Sequence, residues 1–246
     1  MADWNDPQST RSPFGGATIN GDVIGNAARD EGLRRYMLGI YNYMASGVLL
    51  SGLIAMVFAY TSFGIQIMSS PLRLVVMLAP LGFVMAMSFG FNRMQASTLK
   101  LLFWAFSAVM GMSLSTIFLV YTQTSIATTF FATAGAFAGL SLYGYTTKRS
   151  LSAMGAFLTM GVFGILLAIV LNMFLQSSAL GLTISVLGVL VFAGLTAWDT
   201  QRLRDTYFQV QGTAMVDKVI VMGALSLYLD FINMFQFLLS FLGNRR

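Results

Sequence analysis

A carboxylate near the middle of an apolar run is the first chemistry this sequence offers. The run from Val219 to Leu242 is long enough to cross a bilayer as a helix, yet it carries Asp230. A charge at that depth costs about 2.5–3.5 kcal/mol even on a lenient insertion scale. Asp230 must therefore face protein or water, hold a proton, or be paired. Gly223, Ser226, Asp230, Asn233 and Gln236 follow one another at intervals of three or four residues, so they form one stripe along a helix. The positions between them are mostly Leu, Phe, Ile and Met. The spacing predicts a polar stripe turned into a helix bundle, and a cation path along it would use Ser226, Asp230 and Asn233.

A second carboxylate, Asp199, follows Gly194-Leu-Thr-Ala-Trp198 at the end of the preceding apolar run. Asp230 lies 11 residues beyond Val219, or about 16 Å along a helix. If the helix bearing Asp199 enters more deeply than its apolar run suggests, the two carboxylates meet. Close carboxylates cannot both ionise cheaply, so such a pair would share a proton, or coordinate or pass a cation. The plainer alternatives are an interfacial Asp199 beside Thr200, Gln201 and Arg202, and an Asp230 that is only a satisfied buried hydrogen-bonding group. Arg93 closes the segment Phe89-Gly-Phe-Asn-Arg93. It reads either as an anchor snorkelling to the headgroups or as the counter-ion of the acidic pair.

The elements that must hold these groups are set by composition. Of 246 residues, 57% are hydrophobic and 9% are charged, and mean hydropathy is +0.74. Soluble domains average about 25% charged, so the chain reads as an all-α integral membrane protein. It has no cysteine and no histidine. Disulfides, thiolate catalysis, histidine bases and His or Cys metal sites are excluded, and pH sensing would fall to carboxylates. The last apolar run lacks the lysine a retinal Schiff base needs, and neither a phosphate loop nor an H-E-x-x-H motif occurs. Asp230 follows Tyr228-Leu229 rather than the Gly-x-Gly of intramembrane aspartyl proteases. The expectation is a non-enzyme with no resident cofactor or metal. Net charge is +5 without a clustered basic stripe, which argues against nucleic acid.

Residues 1–32 are polar and read as a flexible tail, and residues 33–246 as one transmembrane domain. Seven apolar segments are expected to span: Met37–Tyr60, Leu72–Phe91, Leu101–Tyr121, Ile126–Tyr145, Leu151–Leu175, Ala179–Trp198 and Val219–Leu242. Pro80 should kink the second, and Gly135-Ala-Phe-Ala-Gly139 suits close internal packing ahead of a dimer motif. Eleven of the 14 basic residues fall in the tail and the even-numbered loops, which predicts a cytoplasmic amino terminus and an external carboxyl terminus. Arg245 and Arg246 sit against that pattern. A re-entrant last segment would place both termini inside.

Leu225-Ser-Leu-Tyr-Leu-Asp-Phe-Ile-Asn233, with Phe235 and Leu238-Leu239, resembles the carboxy-terminal motif of the Bax inhibitor-1 (YccA-like) family. Ala197-Trp-Asp-Thr-Gln201 is similar to the family's acidic motif, and Arg93 falls where its gating arginine is expected. The resemblance covers about residues 33–242. It implies seven helices with the seventh central. It also implies a pH-sensitive calcium leak gated by Asp199, Asp230 and Arg93, in a bacterial inner membrane. A second implied reading is a non-conducting regulator that binds a membrane-anchored quality-control protease. The acidic residue some relatives carry within helix two is missing from Leu81-Gly-Phe-Val-Met85.

Overall fold

The computed structural model describes residues 19–245, with side chains from Arg29 onward. Residues 1–18 of the expected flexible tail lie outside the described residues. From Ile19 the chain is helical, and residues 19–35 carry an exposed Glu31–Arg35 ion pair of 3.0 Å at i,i+4 spacing.

Eight helices follow one another among the described residues: α1 (Ile19–Tyr60), α2 (Ser62–Ser69), α3 (Leu72–Gly90), α4 (Ala96–Val120), α5 (Gln123–Thr146), α6 (Ser152–Leu175), α7 (Ser178–Val210) and α8 (Val216–Leu242). All but α2 are long and apolar enough to cross a membrane, so this is a seven-span, multi-pass membrane protein. The short α2 is an addition to the expected pattern. Thr61 begins it by accepting the Gly64 amide at 3.2 Å. Pro80 lies inside α3 without interrupting the helix.

Two departures bear on the site. The first is length. α7 does not stop at Trp198 but continues through a polar stretch to Val210. Asp199 is thereby 11 residues, about 16 Å, inside the helix rather than at its end. The second is packing. A side chain built on Gly135 or Gly139 would meet nothing, so these glycines face outward instead of joining helices.

Burial picks out the axis of the bundle. In α8, 61% of the apolar window is buried, against 39% or less in every other span. It packs against α4, α5 and α7. Val221, Ala224, Leu227 and Tyr228 have no exposed surface at all. The outer helices turn their apolar residues outward; Phe174 of α6 is 83% exposed and Phe89 of α3 is 80% exposed. That inversion suits a hydrocarbon solvent and would aggregate in water.

In hydrocarbon, polar groups inside the bundle must find protein partners. The Tyr228 hydroxyl lies 2.6 Å from Ser51 Oγ, which also reaches the Ser107 carbonyl at 2.6 Å. This knot ties α1, α4 and α8 around a cluster of Phe103, Phe106 and Tyr228 rings.

The loops sort to opposite ends. Lys218, at the start of α8, reaches the Phe91 carbonyl after α3 at 3.5 Å, and the neighbouring Asp217 pairs with Lys100 of α4 at 3.2 Å. At the other end, Asn244 accepts the Thr122 amide at 3.1 Å and donates its own amide to Ser125 Oγ at 3.0 Å. Arg245 lies over the Tyr121 ring, 6.0 Å from its centre. The carboxyl terminus is therefore held at the α4–α5 connection, and α8 runs the full distance as one unbroken helix.

Candidate functional site

The segment Ala197-Trp-Asp-Thr-Gln201 is fixed residue by residue. Gly144 of α5 approaches the Ala197 backbone so closely that a methyl group would overlap the Ala197 carbonyl. On the adjoining side, Gly155 of α6 leaves room for the Trp198 indole and for nothing more. Thr200 meets Ser141 of α5 at 3.2 Å. Gln201 accepts the Leu151 amide at 2.7 Å and donates to the Arg149 carbonyl at 2.8 Å, which satisfies backbone groups where α6 begins. Arg204 adds bonds to the Tyr145 and Thr147 carbonyls at 2.7 and 3.1 Å. These polar side chains keep α7 helical beyond its apolar run. They give the side chains of the extension the partners that they need.

Asp199, held in this way, faces Asp230 of α8. Asp230 lies 14 residues from the start of α8 and 12 from its end, so it sits about halfway along the span. Both residues are buried, at 6% and 5% exposure. Their carboxyl groups lie within reach of each other. Two carboxyls this close can be joined by a hydrogen bond only while one of them holds a proton. Asp230 Oδ2 is buried with no further hydrogen-bond partner. Asp199 Oδ1 lies 2.9 Å from Arg202 Nη2, close enough for an ion pair but off the angle of a hydrogen bond. Arg202 is the ion-pair partner of Asp199 among the described residues.

Arg202 thus stands where Arg93 was expected. Its guanidinium lies over the Trp198 ring at 4.7 Å and approaches Ser226 Oγ at 3.5 Å. Arg93 is exposed in the turn after α3 and makes no ion pair among the described residues. The reason is distance along the axis. The α3–α4 turn meets α8 at Lys218, 12 residues or about 18 Å from Asp230. Position three residues after Asp199 was a sequence signal for Arg202, since i,i+3 places both on one helix face.

The stripe on α8 divides at the pair. Toward the start of the helix, Gly223 is buried against Leu203 and Ile40, and Ser226 is half-buried below Arg202. Toward its end, half-buried Asn233 and exposed Gln236 and Ser240 line a cavity of about 480 Å³ between α6, α7 and α8. Asn172 of α6 and Ser185 of α7 add polar groups to the same cavity. The predicted path residues Ser226, Asp230 and Asn233 do share one face, with Arg202 on one side of the pair and the cavity on the other.

The family model described as "Inhibitor of apoptosis-promoting Bax1" matches residues 33–246. An uncharacterised protein of Rickettsia prowazekii is 45% identical, with 90% of this chain and 94% of that protein covered. An uncharacterised protein of Caulobacter vibrioides is also 45% identical, over 88% of this chain and 91% of its own length. The inner membrane protein YbhL of Escherichia coli is 42% identical, over 87% of this chain and 94% of its own length. Shared sequence over nearly the whole bundle, joined to a central α8 and its aspartate pair, places the chain in the Bax inhibitor-1 family.

Proposed function

We propose that this protein is a pH-sensitive cation leak channel, with calcium as the permeant ion, controlled by the Asp199–Asp230 pair. The buried pair at the centre of the bundle carries the proposal. A protein that served only as a scaffold has no use for two carboxyls at this depth, where each is costly. Carboxylate, hydroxyl and carboxamide oxygens are the hard donors that calcium prefers, and the stripe offers all three in Asp230, Ser226 and Asn233. The shared proton halves the charge available to a divalent ion, so protonation and cation occupancy compete at one place.

The test is calcium flux into liposomes that contain only this protein. The expected result is a leak whose rate changes with pH. No flux at any pH would favour instead a non-conducting regulator that binds a membrane protease.

The proposal includes an orientation with the amino terminus cytoplasmic, in an inner membrane like that named for YbhL. The basic loops after α3, α5 and α7 gather at the end opposite the carboxyl terminus, in support of this orientation. A reporter enzyme fused after Arg246 should be active only on the external side. Cytoplasmic activity of that fusion would overturn the orientation.

A further inference from the structure

We infer that the cavity between α6, α7 and α8 binds an uncharged glycerolipid of the diacylglycerol type, which enters sideways from the leaflet at the carboxyl-terminal end of the bundle. Its volume of about 480 Å³ suits a small molecule or part of a lipid. Leu166, Ile169 and Met173 of α6 line it and are also exposed on the outer surface of the bundle, so its mouth faces hydrocarbon. The two side walls differ. The α6 wall is apolar up to Asn172, whereas the α8 wall presents Asn233, Gln236 and Ser240 in one row. Phe192 of α7, stacked with Phe237 at 5.9 Å, lines the apolar inner part. Water filling the cavity would wet the α6 wall, and a plain acyl chain would leave the α8 wall without partners. An occupant with oxygens on one flank and methylenes on the other suits both walls.

The polar groups left open define the head of that occupant. Gln236 is exposed and makes no side-chain hydrogen bond among the described residues. Asn233 gives its amide nitrogen to the Leu229 carbonyl at 2.8 Å and keeps its side-chain oxygen. Asn172 accepts the Ser177 amide at 3.0 Å on its oxygen and keeps its nitrogen. Donors for ester carbonyls and acceptors for a hydroxyl are therefore both at hand. No lining residue is charged, so nothing there favours a phosphate, which draws Arg or Lys. Depth agrees with a glycerol backbone. The 27 residues of α8 measure about 40 Å, the thickness of a bilayer with both interfacial layers. Gln236 lies six residues, about 9 Å, before the end of α8 at Leu242, close to the level where ester groups give way to acyl chains.

The test uses the full-length protein in phosphatidylcholine nanodiscs that contain a diacylglycerol with a diazirine in one acyl chain. Irradiation fixes the bound lipid, and peptide mass spectrometry locates it. Adducts are expected on α6 between Ile165 and Met173 and around Phe237. Gly181→Leu should remove them by filling the cavity. An added Cβ there meets only Asn172 Nδ2, at 3.4 Å, so the fold accepts it. Gln236→Leu, at an exposed position, should lower the yield about fivefold, the equivalent of one lost hydrogen bond. Gly164→Leu on the outward face of α6, where an added Cβ meets nothing, should label like the wild type. Unlabelled diacylglycerol in excess should displace the probe, and the same amount of phosphatidylglycerol should not. Adducts spread over the outward faces of the bundle, or a yield unchanged in both Gly181→Leu and Gln236→Leu, would overturn the site. Equal displacement by phosphatidylglycerol would overturn the uncharged head. The readout involves no cation flux, so it is decided separately from the channel reading.

Discussion

Asp230→Asn should give a protein that inserts and folds, with calcium flux lowered about tenfold or more, as for a lost ion contact of ~1.4 kcal/mol or greater. Its flux should no longer respond to pH. Asparagine keeps the shape of the side chain and can donate to Asp199 at every pH, so the contact between α7 and α8 persists. The charge balance does not persist. Asp199 would face Arg202 at 2.9 Å with no second carboxyl, so the site could not reach the net charge of −1 that the wild-type pair has beside Arg202 once it holds no proton. The proton that the proposed pair shares would be gone as well. Liposome flux measured from about pH 6 to 8 decides the matter. Equal rates and equal pH profiles for mutant and wild type would reduce Asp230 to a structural hydrogen-bonding residue.

A larger effect on stability is expected at a residue that carries no chemistry. In Gly144→Ala the new methyl group would overlap the backbone carbonyl of Ala197. A flexible side chain could move aside, but a helix backbone cannot. α5 and α7 must separate, and Asp199, two residues further on, must shift with them. Overpacking of this kind costs about 1–3 kcal/mol, and an overlap with backbone belongs at the upper end. Gly139→Ala on the same helix is the matched control, because its methyl group would meet nothing. It should be neutral or stabilise by up to about 1 kcal/mol through helix propensity. Thermal unfolding in detergent compares the two. Similar melting of both variants would show that the α5–α7 contact is not tight.

The spans were legible because bilayer thickness fixes their length and the solvent fixes their composition. Asp230 was legible for the same reason, as a costly exception. The depth of Asp199 was not. Past Trp198 the sequence turns to Asp-Thr-Gln-Arg, which hydropathy reads as an exit from the membrane. The helix continues because Thr200, Gln201 and Arg204 bond to α5 and the α5–α6 connection, and such long-range partners leave no mark in local periodicity. The same misplaced exit hid Arg202 among the loop cations and left Arg93 as the apparent counter-ion. Glycine spacing misled in a related way. Gly135 and Gly139 have the interval that allows helices to approach, but only the tertiary arrangement decides which face of α5 meets a neighbour, and that face carries Gly144.

The central helix is fastened at both tips. Lys218 and Asp217 hold its first turn to the α3–α4 region, and Asn244 stitches the residues after its last turn to Thr122 and Ser125. In mechanical terms α8 is a stator. A piston stroke or rotation of it would break contacts at opposite ends together. α7, by contrast, is bound through Gln201 and Arg204 to the α5–α6 connection. Any relative motion at the Asp199–Asp230 contact must then come from α7 rather than from a stroke of α8.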